Sequence, residues 1–177
     1  MKFYPTKIQG LILIETNIIK DDRGTFTKIF ESSEFNKNKL LINFEEDYYS
    51  FSNAGVLRGM HFQLPPFEHE KVVFCSYGEI IDVVLDLRTC STTYKQTFSI
   101  KLSESSGKML YIPRGCAHGF WALNNSIVNY KVGTKYSPLH DFGVHWNSFD
   151  FDWPSTNPII SNRDSKHVQL KDFRSPF

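Results

Sequence analysis

The amino-terminal stretch, MKFYPTKIQGLILIETNIIKDD, has no long hydrophobic run; only four consecutive apolar residues, Leu11 to Ile14, precede Glu15. A membrane span needs about 20 such residues and a signal-peptide core about 7 to 15, so neither is expected and the protein reads as cytoplasmic, without a membrane partner. Charge of one sign is also missing. Lys plus Arg total 20 against 19 Asp plus Glu. The chain therefore has no global field to attract nucleic acid or an anionic surface, and an anionic ligand must be met by local charges. Cysteine is scarce: Cys75, Cys90 and Cys116 form an odd, widely spaced set without a CxxC pair. This excludes a disulfide framework and leaves three reduced thiols, read here as small buried hydrophobes. Helix signals are almost absent, as are internal repeats and low-complexity linkers.

Aromatic residues are abundant, with 16 Phe and 8 Tyr. Together with Val, Ile and Thr they favour pleated, half-buried surfaces. Short β-rich runs bounded by turn residues recur at 11–14, 25–30, 48–51, 72–77, 80–85, 97–102, 109–112, 120–123 and 127–132, a spacing that predicts a sandwich or barrel. Gly78, free to take positive φ, is expected to close a hairpin between the runs at 72–77 and 80–85. ESSEFNKNKL at 31–40 is the one expected helix, with Ser32 and Ser33 as capping residues. After Trp146 the pattern thins into loops and short helical turns. At 177 residues the chain is expected to form one domain over 1–177, large enough to bury roughly 70% of its unfolded surface.

Two segments resemble the paired motifs of the cupin superfamily. Five residues separate Gly107 from Pro113-Arg114-Gly115-Cys116-Ala117-His118, and five separate Gly55 from His61. The second motif lacks its usual second histidine, because position 63 is Gln63. Glutamine is a poor transition-metal ligand, so the expectation is no metal, although His61, His118 and Glu68 or Glu70 remain as an alternative metal set. Without a metal, a histidine in a barrel mouth either holds structure or moves protons.

Along nearly its whole length the sequence resembles the dTDP-4-dehydrorhamnose 3,5-epimerase family and its relatives acting on other nucleotide-linked 4-keto sugars. The resemblance rests on DDRGTFTKIF at 21–30, SFSNAGVLRGMHFQLPP at 50–66, GEIIDVVLDLR at 78–88, LYIPRGCAHGF at 110–120, NYKVGTKYSP at 129–138 and PIISNRD at 158–164. It implies an all-β, cupin-type jelly-roll barrel with a few short helices. It also implies a homodimer built by exchanged strands and cofactor-independent epimerisation of a nucleotide sugar for bacterial O-antigen or capsule. By position, His61 matches the general base, Asp164 the carboxylate that orients it and Tyr130 the general acid. Tyr136 matches the aromatic that stacks on the base; Arg23, Arg58, Lys71 and His118 match residues lining the diphosphate and sugar.

These residue types suit the chemistry. Hydrogens beside a ketone are acidic because the resulting carbanion delocalises onto oxygen. A neutral imidazole is a suitable base near neutral pH, and a carboxylate partner fixes its tautomer. A protonated tyrosine can donate, and Lys71 or His118 is suited to stabilise the enolate oxygen. Taken singly, each residue has an ordinary structural reading: Tyr130 as a core aromatic, Lys71 as a solvated charge, Asp164 as a turn cap. His69, His140, His145 and His167 match no motif position, and Trp121, Trp146 and Trp153 read as packing residues.

The nucleotide end departs from the pattern. Lys28 replaces a glutamate, Glu46-Asp47-Tyr48 replaces Gln-x-Asn, Asp141 replaces a glutamate and Arg163 a lysine. This donor and acceptor pattern raises the expectation of a guanosine nucleotide, with Glu46 accepting from guanine and a 4-keto heptose as the sugar. A metal-dependent cupin enzyme and a catalytically silent sugar-binding relative are the competing readings.

Overall fold

Alternation of apolar and polar residues, broken by turns, organises the chain into strands throughout. The computed structural model describes residues 1–40 and 43–177. In chain order the strands are β1 (Lys2–Pro5), β2 (Ile12–Glu15), β3 (Ile18–Asp21), β4 (Gly24–Thr27), β5 (Glu46–Ser52), β6 (Leu57–Gln63) and β7 (Lys71–Tyr77). They continue with β8 (Glu79–Asp86), β9 (Thr97–Ser103), β10 (Lys108–Ile112), β11 (Cys116–Ala122), β12 (Ser126–Val132) and β13 (Asp141–Gly143). A six-stranded sheet runs β1-β2-β10-β7-β12-β5 and a five-stranded sheet β13-β6-β11-β8-β9, while β3 and β4 pair only with each other. Every pairing in these sheets is antiparallel. The result is the expected all-β, cupin-like double-layer fold.

The main core lies between the two sheets. Val73, Leu110, Val128 and Tyr130 come from one sheet and Ile80, Val84, Leu102 and Phe120 from the other. Because side chains alternate along a strand, Asp82 shares the inward face with Ile80 and Val84. The outer face of the five-stranded sheet is covered by the tail, which packs Phe149, Phe151, Leu170 and Phe173 on Phe62, Val83 and Leu85. With both faces covered, β8 and β11 read as nearly unbroken apolar runs. Trp121, Trp146 and Trp153 pack together as expected.

Several expectations change. The helix α1 spans only Ser32–Lys37, and Glu31, not a serine, is its cap residue, without a side-chain cap bond. Ser33 lies inside the first turn and donates to the Glu31 carboxylate. Gly78 does not close a hairpin. It takes positive φ, and a Cβ there would sit 2.1 Å from the Asn125 carbonyl oxygen, but β7 and β8 belong to different sheets. The turn is a corner, and periodicity alone cannot distinguish a corner from a hairpin. Cys75 and Cys116 are buried, whereas Cys90 is exposed in the turn after β8. Among the described residues no helix is long and apolar enough to cross a membrane.

Candidate active site

One cavity of about 410 Å³ opens between the sheets, and alternation along the strands decides what lines it. From β5 come Glu46, Tyr48 and Ser50, from β7 Lys71, from β11 His118 and Phe120, and from β12 Tyr130 and Val132. Strand β6 adds Arg58 and His61. The intervening β5 residues Tyr49 and Phe51 face outward, 69% and 50% exposed. Close approach of β6 and β11 depends on two glycines: a Cβ on Gly59 would lie 2.5 Å from the Gly119 Cα.

His61 is held from behind. Its Nε2 lies 2.8 Å from Oδ1 of Asp164, whose Oδ2 accepts the Gly59 amide at 3.1 Å. Burial opposes the Asp164 charge, but contacts with His167, His61 and the Gly59 amide outweigh it and hold the carboxyl well below the usual range. An ionised carboxylate can only accept, so the Asp164 contact needs the ring hydrogen on Nε2 and leaves the lone pair on Nδ1; the Arg163 guanidinium, 2.6 Å from the same nitrogen, can only donate and forms no hydrogen bond to that tautomer. Burial, aided by the Arg163 and Lys71 charges, lowers the His61 pKa against the pull of Asp164. The ring is therefore neutral at neutral pH.

The six-stranded sheet forms the opposite wall and carries Tyr130 and Lys71, whereas His118 lies on the His61 sheet. Tyr130 lies on the six-stranded sheet, stacks on Tyr48 at 5.0 Å between ring centroids and meets His118 edge-on at 6.0 Å. Burial pushes its phenol far above the ordinary tyrosine range. Lys71 is 6% exposed. Burial drives its pKa down to about 8, against the attraction of Asp82, Cys116 and Asp141. No hydrogen bond or ion pair engages its ammonium among the described residues. His118 donates or accepts through Nε2 at 2.8 Å from Asp82 Oδ2, and both side chains are buried. Sequence reasoning missed Asp82. The available signal was a lone carboxylate inside an apolar strand, which demands a partner.

At the outer end, Tyr136 donates its amide to Glu46 Oε1 at 2.9 Å and its hydroxyl to Asp141 Oδ2 at 3.3 Å. Arg163 bridges Asp141 at 2.5 Å and Asp164 at 3.1 Å. Gln63, standing where the cupin pattern has a histidine, donates to the Phe67 and Lys135 carbonyls and accepts the Ser137 amide at 2.6 Å. It pins the segment that carries Tyr136. His69 also lines the cavity, and burial drives its pKa down to about 3.

Two expected site residues lie elsewhere. Arg23 folds back on Asp21 with its side chain 90% exposed, and Lys28 pairs with Glu31 at 3.0 Å. Both belong to the β3–β4 unit or its end, which joins neither large sheet, so neither reaches this cavity within one chain. The alternative metal set of His61, His118 and Glu68 or Glu70 is not assembled among the described residues. The three metal-capable side chains that do converge are His61, Asp164 and His167. Arg163 nitrogens stand 2.6 Å from His61 Nε2 and 3.1 Å from Asp164 Oδ1, so a fixed cation already occupies that position.

A neutral imidazole on one wall and a protonated phenol on the other can remove a proton from one face of a flat carbon and return one to the other face. The buried ammonium of Lys71, on the Tyr130 sheet, and the imidazole of His118, opposite His61 in the β6–β11 pair, line the same cavity and can meet an oxygen that gains negative charge.

Comparison with known proteins identifies the family. The model of the dTDP-4-dehydrorhamnose 3,5-epimerase family matches residues 5–172. A protein of that name from Methanothermobacter thermautotrophicus is 39% identical, with 97% of this chain and 95% of the relative covered. The Bacillus anthracis dTDP-4-dehydrorhamnose 3,5-epimerase, solved with TDP and PPi bound, superposes with a TM-score of 0.92 at 38% identity, covering 96% of this chain and 99% of that one. A Legionella pneumophila epimerase in complex with dTDP-4-keto-L-rhamnose superposes with a TM-score of 0.91 at 32% identity, covering 98% and 94%.

Proposed function

The chain belongs to the dTDP-4-dehydrorhamnose 3,5-epimerase family and is a nucleotide-sugar epimerase, and from that premise we propose that it inverts C3 and C5 of a dTDP-linked 4-keto-6-deoxy sugar. The observation that carries the proposal is the placement of His61 and Tyr130 on opposite walls of one cavity. His61 Nδ1 takes the proton beside the ketone, and the C–H electrons move onto the ketone oxygen as an enolate. The Nε2–H of the resulting imidazolium stays on Asp164. Lys71, with His118 beside it, stabilises the enolate oxygen. Tyr130 then gives its proton to the same carbon from the other face and recovers one from solvent. Arg58 lies at the cavity wall for the diphosphate, and Tyr136 at the rim for the base.

Running the reaction in D2O and following the sugar by NMR tests this reading. Deuterium at C3 and C5 is expected. Label at C3 alone would make the enzyme a 3-epimerase, and no label would remove the proton-transfer mechanism.

A guanosine nucleotide with a heptose is the second reading, favoured by Glu46 at the cavity. Glu46 already accepts the Tyr136 amide, however, so it has less capacity to accept two hydrogen bonds from guanine. Calorimetry with dTDP and GDP separates the two, with tighter dTDP binding expected.

We also assign a homodimer. Ile19 and Phe26 on the β3–β4 unit are 59% and 62% exposed, and Arg23 beside them, paired with Asp21, has its side chain 90% exposed. A second copy covering this unit would remove apolar surface from water. A monomer mass in light scattering would overturn the assignment.

A further inference from the structure

The group behind His61 contains one more imidazole than an orienting pair requires. His167 Nε2 lies 3.6 Å from Asp164 Oδ1, the same oxygen that holds His61 Nε2 at 2.8 Å. The two rings meet edge-on, 5.7 Å between centroids. His167 Nε2 is a buried atom without a hydrogen-bond partner. Its place is also specifically shaped: a Cβ on Gly143 would come within 2.5 Å of that nitrogen, so β13 leaves room for the ring only because residue 143 has no side chain. A buried nitrogen just beyond bonding distance of a carboxylate already engaged elsewhere has a partner available through a shift of a few tenths of an ångström.

We propose that His167 is a positioning residue for His61: by competing for Oδ1 of Asp164 it sets how firmly the carboxylate grips the His61 ring, and so how readily that ring takes up a proton. The proposal rests on the reading of His61 as the base. Two effects act in the same direction. A neutral His167 that donates to Oδ1 draws charge away from the His61 contact. A positive charge on the His167 ring would stand beside the His61 ring, and like charges that close oppose one another. The other charges facing the pair are Arg163, which touches both His61 and Asp164, Asp141 across Arg163, and Lys71 beyond His61. The β13 backbone at Gly143 contributes none.

Imidazole NMR of the free protein tests the coupling without any substrate. In His167→Phe the ring volume stays against Gly143 and the nitrogen is lost. The His61 titration is expected to move up by about 0.5–1 pH unit, roughly a three- to tenfold gain in proton affinity. His167→Gln restores a neutral donor and is expected to shift it less. The acid limb of kcat/KM should move by the same amount, with KM at pH 8 unchanged. Coincident His61 titrations in wild type and both variants would overturn the proposal. Absence of deuterium exchange by the wild type would instead overturn the epimerase reading, while the NMR titration still decides the coupling.

Discussion

Two histidine–carboxylate pairs line the same cavity at the same 2.8 Å separation, yet they are built differently. His118 and Asp82 come from adjacent strands of one sheet, β11 and β8, with side chains 4% and 0% exposed. His61 and Asp164 join a strand to the tail across 103 positions, and the His61 side chain is 28% exposed. The inner pair is fixed by the sheet and surrounded by core. The outer pair faces the cavity and has further partners in Arg163 and His167. The difference separates a pair locked in the core from one that keeps an open face on the cavity.

The comparison can be broken most severely at His61. His61→Ala and His61→Asn are expected to lower kcat by about 10²–10⁴-fold while calorimetric dTDP binding stays nearly unchanged, because the ring acts on the sugar. Equal loss of binding and rate would make His61 structural. Asp164→Asn keeps the shape but no longer demands the Nε2–H tautomer, and a kcat loss of about 10²–10³-fold is expected, measured with kcat against pH.

At the inner pair, Asp82→Asn should act chiefly on stability. Loss of a buried, hydrogen-bonded charge is expected to cost about 1–3 kcal/mol in denaturant unfolding, with a smaller loss of rate than at Asp164. A larger rate effect than Asp164→Asn would erase the distinction between the pairs. The smallest effect lies in Lys71, which senses both walls. Its ammonium must be charged to meet an enolate, and burial pushes its pKa down to about 8. As pH rises through that value the charge is lost, so kcat/KM should fall on the alkaline side. Lys71→Arg, charged at all accessible pH, should flatten that limb.

The sequence was legible where a motif forces geometry. Gly55 and His61, or Pro113, Gly115 and His118, announce strands that deliver histidines to a barrel mouth. It was silent where partners are set by which strands meet. Asp82 reads as one polar residue in an apolar run, and only the β8–β11 pairing shows that it faces His118. The runs flanking Gly78 have the same period whether they pair or separate, so the corner looked like a hairpin. Arg23 matches the family motif and Lys28 departs from it, but the β3–β4 unit beside which both lie pairs with neither sheet. His167 matched no motif, because its role depends on the absence of a side chain at Gly143. Tyr136 and Glu46 were both expected at the nucleotide end, whereas the bond between them follows from folding the 134–137 segment over β5.

The position of Asp164 also sets an order in time. Both large sheets are complete once β13 has been made, yet the carboxylate that orients His61 arrives 21 residues after Gly143, in a segment that docks from outside the barrel. A chain emerging from the ribosome can therefore close its walls and shape the cavity before its base is armed. The contact between His61 and Asp164 thus waits for a tail that also covers the five-stranded sheet, so orientation of that ring and burial of the outer core are completed by the same late segment.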